Sequence, residues 1–451
     1  MPVIAAESDQ TQKLDSAFQA ALSQYNSGNY AQAAEQLEEL ARQVPQSFDV
    51  HELLGMVYAA ESQDSKANDH LAKAVQLKPE SVEARTNLAT NLVHMGKMAP
   101  AETEFRKAVE LDPGNYDTNH NLGEIYLAAG KLTDAVPYLE KAQKINSSAY
   151  DNGYDLALAY AKTGKLNEGR TVVQDLLKQK DTAELHNVLA EIEEKDGKFV
   201  AAENQYETAA HMDPSESNLF DWGSELLVHR TLDPAVNVFQ SAAEHYPKSP
   251  RLAIGLGMAL YSRGNYDDAV KALLKAADLN PSDPRCYYFL SKAYDSSPGQ
   301  ADEVIQRFHR FAELQPQNAR AHFYYAMSLW KGRRAQDANL DIAKIESLLK
   351  RAIALDPKLP EAHLQLGNLY SDQAKYAEAI PHYQRALQEN ADLADAHYRL
   401  GQAYVHTGQK VLAQEQLQIY QRLRAQHLAE LDKQRAEIRQ FVYSEKDAAQ
   451  H

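Results

Sequence analysis

Residues 82–115 read VEARTNLATNLVHMGKMAPAETEFRKAVELDPGN. Leu88, Ala89 and Leu92 fall on one face of a helix that Gly96 ends, because glycine takes the left-handed conformation there without a Cβ penalty. Ala101, Phe105 and Ala108 share a face of a second helix, and Asp112-Pro113-Gly114 stops it and turns the chain. The stretch is therefore a hairpin of two helices, A and B, with a proline-marked exit. Residues 116–149 repeat it, with Leu122-Gly123, Tyr126, Gly130, Ala135, Leu139 and Ala142 at matching offsets. Ala33, Ala67, Ala101, Ala135 and then Gly169 stand 34 residues apart. A fixed period of that length predicts a stacked array in which each hairpin buries its apolar face against its neighbours. An array of this kind accommodates 451 residues without one oversized core.

These residues carry a resemblance to the tetratricopeptide repeat (TPR) family. Its pattern has a large residue at position 4, Leu-Gly at 7–8, Tyr at 11, Ala at 20, an aromatic or Leu at 24, Ala at 27 and Pro at 32. Twelve units start at 14, 48, 82, 116, 150, 183, 216, 250, 284, 319, 360 and 394. Position 8 is small in every unit, from Ala21 and Gly55 to Gly367 and Gly401, as close approach of helices A and B requires. The resemblance implies an all-α TPR solenoid, a right-handed superhelix of antiparallel helix pairs whose A helices line a concave groove. It departs from the pattern where Gly169, Val304 and Ile345 replace the position-20 alanine. Unit nine carries an extra residue near Ser296–Gly299, and unit ten is 41 residues long. The excess in unit ten, KGRRAQDANLD at 331–341, gathers Lys331, Arg333 and Arg334. It reads either as a tolerated surface insertion or as a partner-contacting loop.

The expected organisation is an N-terminal extension at 1–13, units one to six at 14–215, units seven to twelve at 216–427, and a helical extension and tail at 428–451. Leu428, Leu431, Ile438 and Val442 fall on one helical face, which reads as a cap on the last repeat. Arg435 interrupts that face and weighs against a coiled-coil seam.

Charge divides unevenly. Residues 1–215 hold 19 Lys and Arg against 34 Asp and Glu, net −15; residues 216–451 hold 28 against 29, net −1. The net charge of −16 argues against nucleic acid as the main partner. The single cysteine, Cys286, excludes an intramolecular disulfide and a cysteine-based zinc site. Residues 1–13 have no cationic start and no apolar stretch of signal-peptide type. The reading is cytoplasmic as the chain stands, and extracytoplasmic if a leader is removed before Met1.

In the family the resemblance points to, positions 2, 5, 9, 12 and 13 of helix A face the groove. Position 2 is acidic in the first six units: Asp15, Asp49, Glu83, Asp117, Asp151 and Glu184. It becomes Arg251, Arg285 and Arg320 in units eight to ten. Position 5 in the later units includes Phe220, Tyr288, Phe323 and Tyr398, and position 12 adds Tyr261 and Trp330. Aromatics and arginines dominate binding hot spots, and an arginine fork matches a carboxylate. These nine residues are the candidate site for a protein or peptide partner with acidic and apolar side chains. The competing reading packs the aromatics between A helices and pairs the arginines with carboxylates such as Asp283 or Asp302. The carboxylate clamp of some TPR proteins is not assembled, because Glu52 and Thr86 stand at position 5 before Asn87 and Asn121.

Nothing in the chain spells a catalytic constellation. His51, His186, His322, His363 and His397 occupy position 4, where packing residues belong, and there is no HExxH, GxxxxGK or GxSxG motif. The sequence reading is thus a monomeric, non-catalytic interaction scaffold without cofactor or metal. The alternatives are a self-associating structural subunit or a component of an envelope or secretion assembly.

Overall fold

The computed structural model describes residues 2–297, 299–332, 341–426 and 428. The described residues are helical and carry no strand. The chain divides into two compact bodies, Met1–Asn218 and Leu219–His451. The first holds α1 (Pro2–Asn26), α2 (Tyr30–Gln43), α3 (Phe48–Ala60), α4 (Asp64–Leu77), α5 (Val82–His94) and α6 (Met98–Leu111). It continues with α7 (Tyr116–Ala128), α8 (Leu132–Ile145), α9 (Tyr150–Thr163), α10 (Leu166–Gln179), α11 (Ala183–Lys195) and α12 (Phe199–Met212). After α13 (Glu216–Val228), the second has α14 (Leu232–His245), α15 (Pro250–Arg263), α16 (Tyr266–Leu279), α17 (Pro284–Ser296) and α18 (Ala301–Leu314). Then come α19 (Ala319–Gly332), α20 (Ile342–Leu355), α21 (Pro360–Asp372), α22 (Tyr376–Glu389), α23 (Ala394–His406) and a helix over 410–426.

From unit two onward, every A helix begins on the residue that starts the unit in the sequence reading, from Phe48 to Ala394. Residues 2–13 lie within α1, continuous with the first unit's A helix. Leu428 is 52% exposed, and the remaining cap residues Leu431, Ile438 and Val442 lie outside the described residues. The same holds for Arg333 and Arg334, whereas Lys331 ends α19 in an ion pair with Asp295. No described helix is long and apolar enough to cross a membrane.

The reason for the small residue at position 8 is visible in the packing. A Cβ on Gly123 would lie 2.4 Å from the Leu139 side chain, and one on Gly367 would lie 2.7 Å from Tyr383. In both units position 8 of helix A receives the large position-24 side chain of helix B. Position 15, in the turn between A and B, is left-handed in every unit where it is described: Gly96 has φ 72° and Gly130 φ 70°. The turn keeps that conformation where glycine is missing, at Ser62 (58°), Arg230 (62°) and Ala374 (61°). Tyr126 and Phe105 are among the largest fully buried side chains of the first body, as are Tyr287, Phe308, Phe311 and Tyr383 in the second.

A helices of most successive units touch within each body, as α3 does α5 and α17 does α19. Among the B helices only α16 and α18 approach as closely among the described residues. The A helices therefore occupy the tighter side of the stack in each body, and their outward positions form its inner lining.

Candidate functional site

Three adjoining hollows of ≈ 260, 170 and 430 Å³ open across α17, α19 and α21 of the second body. The first two share Tyr288, Arg320 and Tyr324; the second and third share Asp295, Met327, Lys331 and Gln365. They form one cleft along the A-helix lining of units nine to eleven. Local sequence sets the orientation of each helix. Asp283 caps α17, accepting from the Arg285 N–H at 2.9 Å, and Pro284 follows at the first helical turn. Cys286, Tyr287 and Leu290 are buried, and the Tyr287 ring stacks on Phe311 at 4.0 Å. Arg285 and Tyr288 are thereby left on the outer edge, with Tyr288 41% exposed. On α19, Ala321, Tyr324, Ala326 and Ser328 are buried, while Phe323, Met327 and Trp330 are half-buried along the cleft side.

The cationic groups of the lining differ in what already holds them. The Arg285 guanidinium donates to both Asp283 oxygens at 2.7–3.1 Å yet remains 72% exposed. The Arg285 hydrogen bond holds the Asp283 carboxyl below the usual carboxylate range. Arg251 lies 3.6 Å over the Phe220 ring and pairs with Asp221 at 3.2 Å. Tyr324 beside it, and the Glu361 charge, raise Arg320 above the usual arginine range, and among the described residues it makes no ion pair. Lys292 sits 5.9 Å over Tyr288.

Of the residues singled out from the sequence, Arg285, Tyr288, Arg320, Phe323 and Trp330 come together in this cleft. Arg251 and Phe220 form their stacked pair on α15 and α13, outside it. Tyr261 packs against Tyr266 at 5.5 Å, and Tyr398 against Tyr420 at 5.1 Å while accepting from Gln402. The cleft also uses Tyr324, Lys292, Met327 and Gln365, which the sequence reading did not name. Lys292 and Met327 stand at position 9, a groove column, so the register carried a signal for these two.

The first body presents the acidic face. The Glu52 carboxyl is pushed up to about 7, first by burial and then by Glu83 and Asp49. Burial followed by Glu124 raises Asp155 to about 6. Ligand atoms of His120, Glu124 and Asp155 lie within 4.8 Å of one another. Between helices A and B, position 4 meets position 23 through polar pairs. His51 faces His70 and His363 faces His382, Nδ1 to Nδ1, at 2.9 and 3.4 Å. His186 and His397 meet Gln205 and Gln416 at 2.6 Å. Four of the five position-4 histidines thus bond between helices A and B, while His322 Nε2 meets the Pro316 carbonyl at 3.0 Å.

Tetratricopeptide repeat models match residues 18–85, 82–115, 104–136, 126–192, 220–284 and 348–380, and a TPR repeat model matches 367–408. Among curated proteins, the human protein O-mannosyl-transferase TMTC1 is 24% identical over 35% of this chain and 17% of its own length. Anaphase-promoting complex subunit 3 of Schizosaccharomyces pombe is 25% identical over 42% of this chain and 27% of its own. The chain thus spans only a minor part of these relatives. Among solved structures, Naa15/Naa10 bound to HypK-THB covers 90% of this chain and 68% of that chain, at 15% identity and a TM-score of 0.40. With family models matching residues 18–192, 220–284 and 348–408, more than half of the chain, and the helix pairs in register with the repeat, the chain belongs to the tetratricopeptide repeat family.

Proposed function

We propose that this protein is a non-catalytic interaction scaffold that takes an extended or helical peptide in the cleft across α17, α19 and α21. The observation that carries the reading is a run of adjoining hollows floored by Tyr288, Phe323 and Trp330 and edged by Arg320, whose guanidinium makes no ion pair among the described residues. An exposed arginine fork beside aromatic surface favours a segment that alternates carboxylates with apolar side chains. Arg285 can add a second contact while keeping Asp283, because most of its guanidinium is exposed. The complex named for the relative anaphase-promoting complex subunit 3 is in keeping with a scaffold.

The test is an immobilised peptide array that varies acidic, basic and apolar content, probed with the full chain. Acidic–apolar peptides are expected to bind, and Arg320→Glu to weaken them at least about tenfold, the scale of a lost charge-assisted contact. Arg251→Glu, outside the cleft, should change little. Equal binding by the Arg320 variant, or a preference for basic peptides, would overturn the assignment.

A further inference from the structure

We infer that His120, Glu124 and Asp155 form a binding site for a first-row divalent transition-metal cation, bridging units four and five of the first body. His120 and Glu124 stand four residues apart on one face of α7, and Asp155 comes from α9. Each offers one lone-pair atom, and all three atoms lie within 4.8 Å of one another. Around a zinc-sized ion with bonds of about 2.1 Å, ligand atoms sit about 3.4 Å apart. Closure from the widest of these separations needs a shift of roughly an ångström at most, the scale of a side-chain rotation.

The histidine distinguishes this group from an ordinary acidic patch. Asn152 is 0% exposed, and its amide nitrogen donates to the Leu139 carbonyl at 3.0 Å and to Gln143 Oε1 at 2.7 Å. Those two bonds fix the Asn152 amide so that its oxygen points to His120 Nδ1 at 3.2 Å. An oxygen can only accept, so Nδ1 must carry the proton. His120 Nε2 is then the ring nitrogen left to face the carboxylates, and it lies 3.7 Å from Glu124 Oε1. A buried acceptor that locks the distal ring nitrogen is the usual support of a metal-bound histidine. Tyr116 stacks on the ring at 5.6 Å and holds its plane.

One imidazole with two carboxylates selects a cation that accepts nitrogen, such as Zn2+ or Co2+, over Mg2+ or Ca2+. Three protein ligands leave at least one position open toward the A-helix lining, where water or a partner's carboxylate completes the sphere.

The experiment is Zn2+ titration by calorimetry of the full chain, stripped with EDTA, beside His120→Gln, Asp155→Asn and Glu124→Gln. The wild type is expected to bind about one equivalent more than the first two variants, or to bind it at least about tenfold more tightly. Zn2+ should raise the melting temperature of the wild type and not of these variants. The Glu124 variant, changed at an exposed edge, guards against a folding artefact and should lose part of the affinity. Identical isotherms in wild type and variants would overturn the site, because the binding would then belong to other histidines. No Zn2+ uptake by the wild type, or Ca2+ taken as readily as Zn2+, would overturn it equally.

Discussion

At the scale of single residues, the acidic lining of the first body has a measurable cost. Glu52 Oε1 is buried without a hydrogen-bond partner, and its carboxyl is pushed up to about 7. A carboxyl raised above its unfolded value of 4.5 contributes fully below that value, and the contribution is lost as pH rises through about 7. Glu52→Gln should therefore stabilise the protein at pH 8 by about 1 kcal/mol, a figure reduced for solvent screening of a half-exposed group, and leave pH 4 almost unchanged. Denaturant melts at the two pH values check this, and an equal gain at both would remove the electrostatic cause. The acidic column was legible in the sequence because position 2 recurs in register. Which arginines stay available was less so. Arg285 is chelated by Asp283, two residues upstream, a pairing the sequence could suggest as one of two readings. Arg320 leans on Tyr324, and only the packing of α19 against α17 and α21 places that pair in a cleft.

At the scale of elements, helix starts and turns follow from local chemistry. Ser47, Ser81, Asn115, Thr182 and Ser249 each cap an A helix by accepting a backbone N–H. Most B helices start without such a bond, as at Lys97 and Lys131, because their entry is fixed by the left-handed residue two positions earlier in the A–B turn. That conformation is imposed by the hairpin rather than by glycine, since Ala374 adopts it at φ 61°. A residue with a Cβ is strained there by about 1–2 kcal/mol. Ala374→Gly should relieve that strain and, after the larger unfolded-state entropy of glycine, raise stability by roughly 0.5–1 kcal/mol. Thermal melts check the sign. A loss would mean that the α21–α22 turn is held by contacts of the alanine methyl group.

At the scale of the whole chain, the period was readable because every unit solves one packing problem. Position 8 must admit position 24, and position 15 must turn left-handed, so the same residue types return every 34 residues. A binding surface has no such obligation to repeat, and its lining had to be assembled from residues more than 30 positions apart. The same locality governs stability. The substantial helix contacts among the described residues join elements one or two apart in the chain. Stability is then close to a sum of unit and nearest-neighbour contributions, and damage should remain local. Phe105 is 1% exposed at position 24 of unit three, and Phe105→Ala should cost about 3–5 kcal/mol there. Hydrogen exchange is expected to speed up in α5 and α6 and, more weakly, in α4 and α7, while α15 to α18 keep wild-type protection. Uniform acceleration through both bodies would show that the array folds as one cooperative unit, in which case a ligand at either candidate site would stabilise every repeat equally.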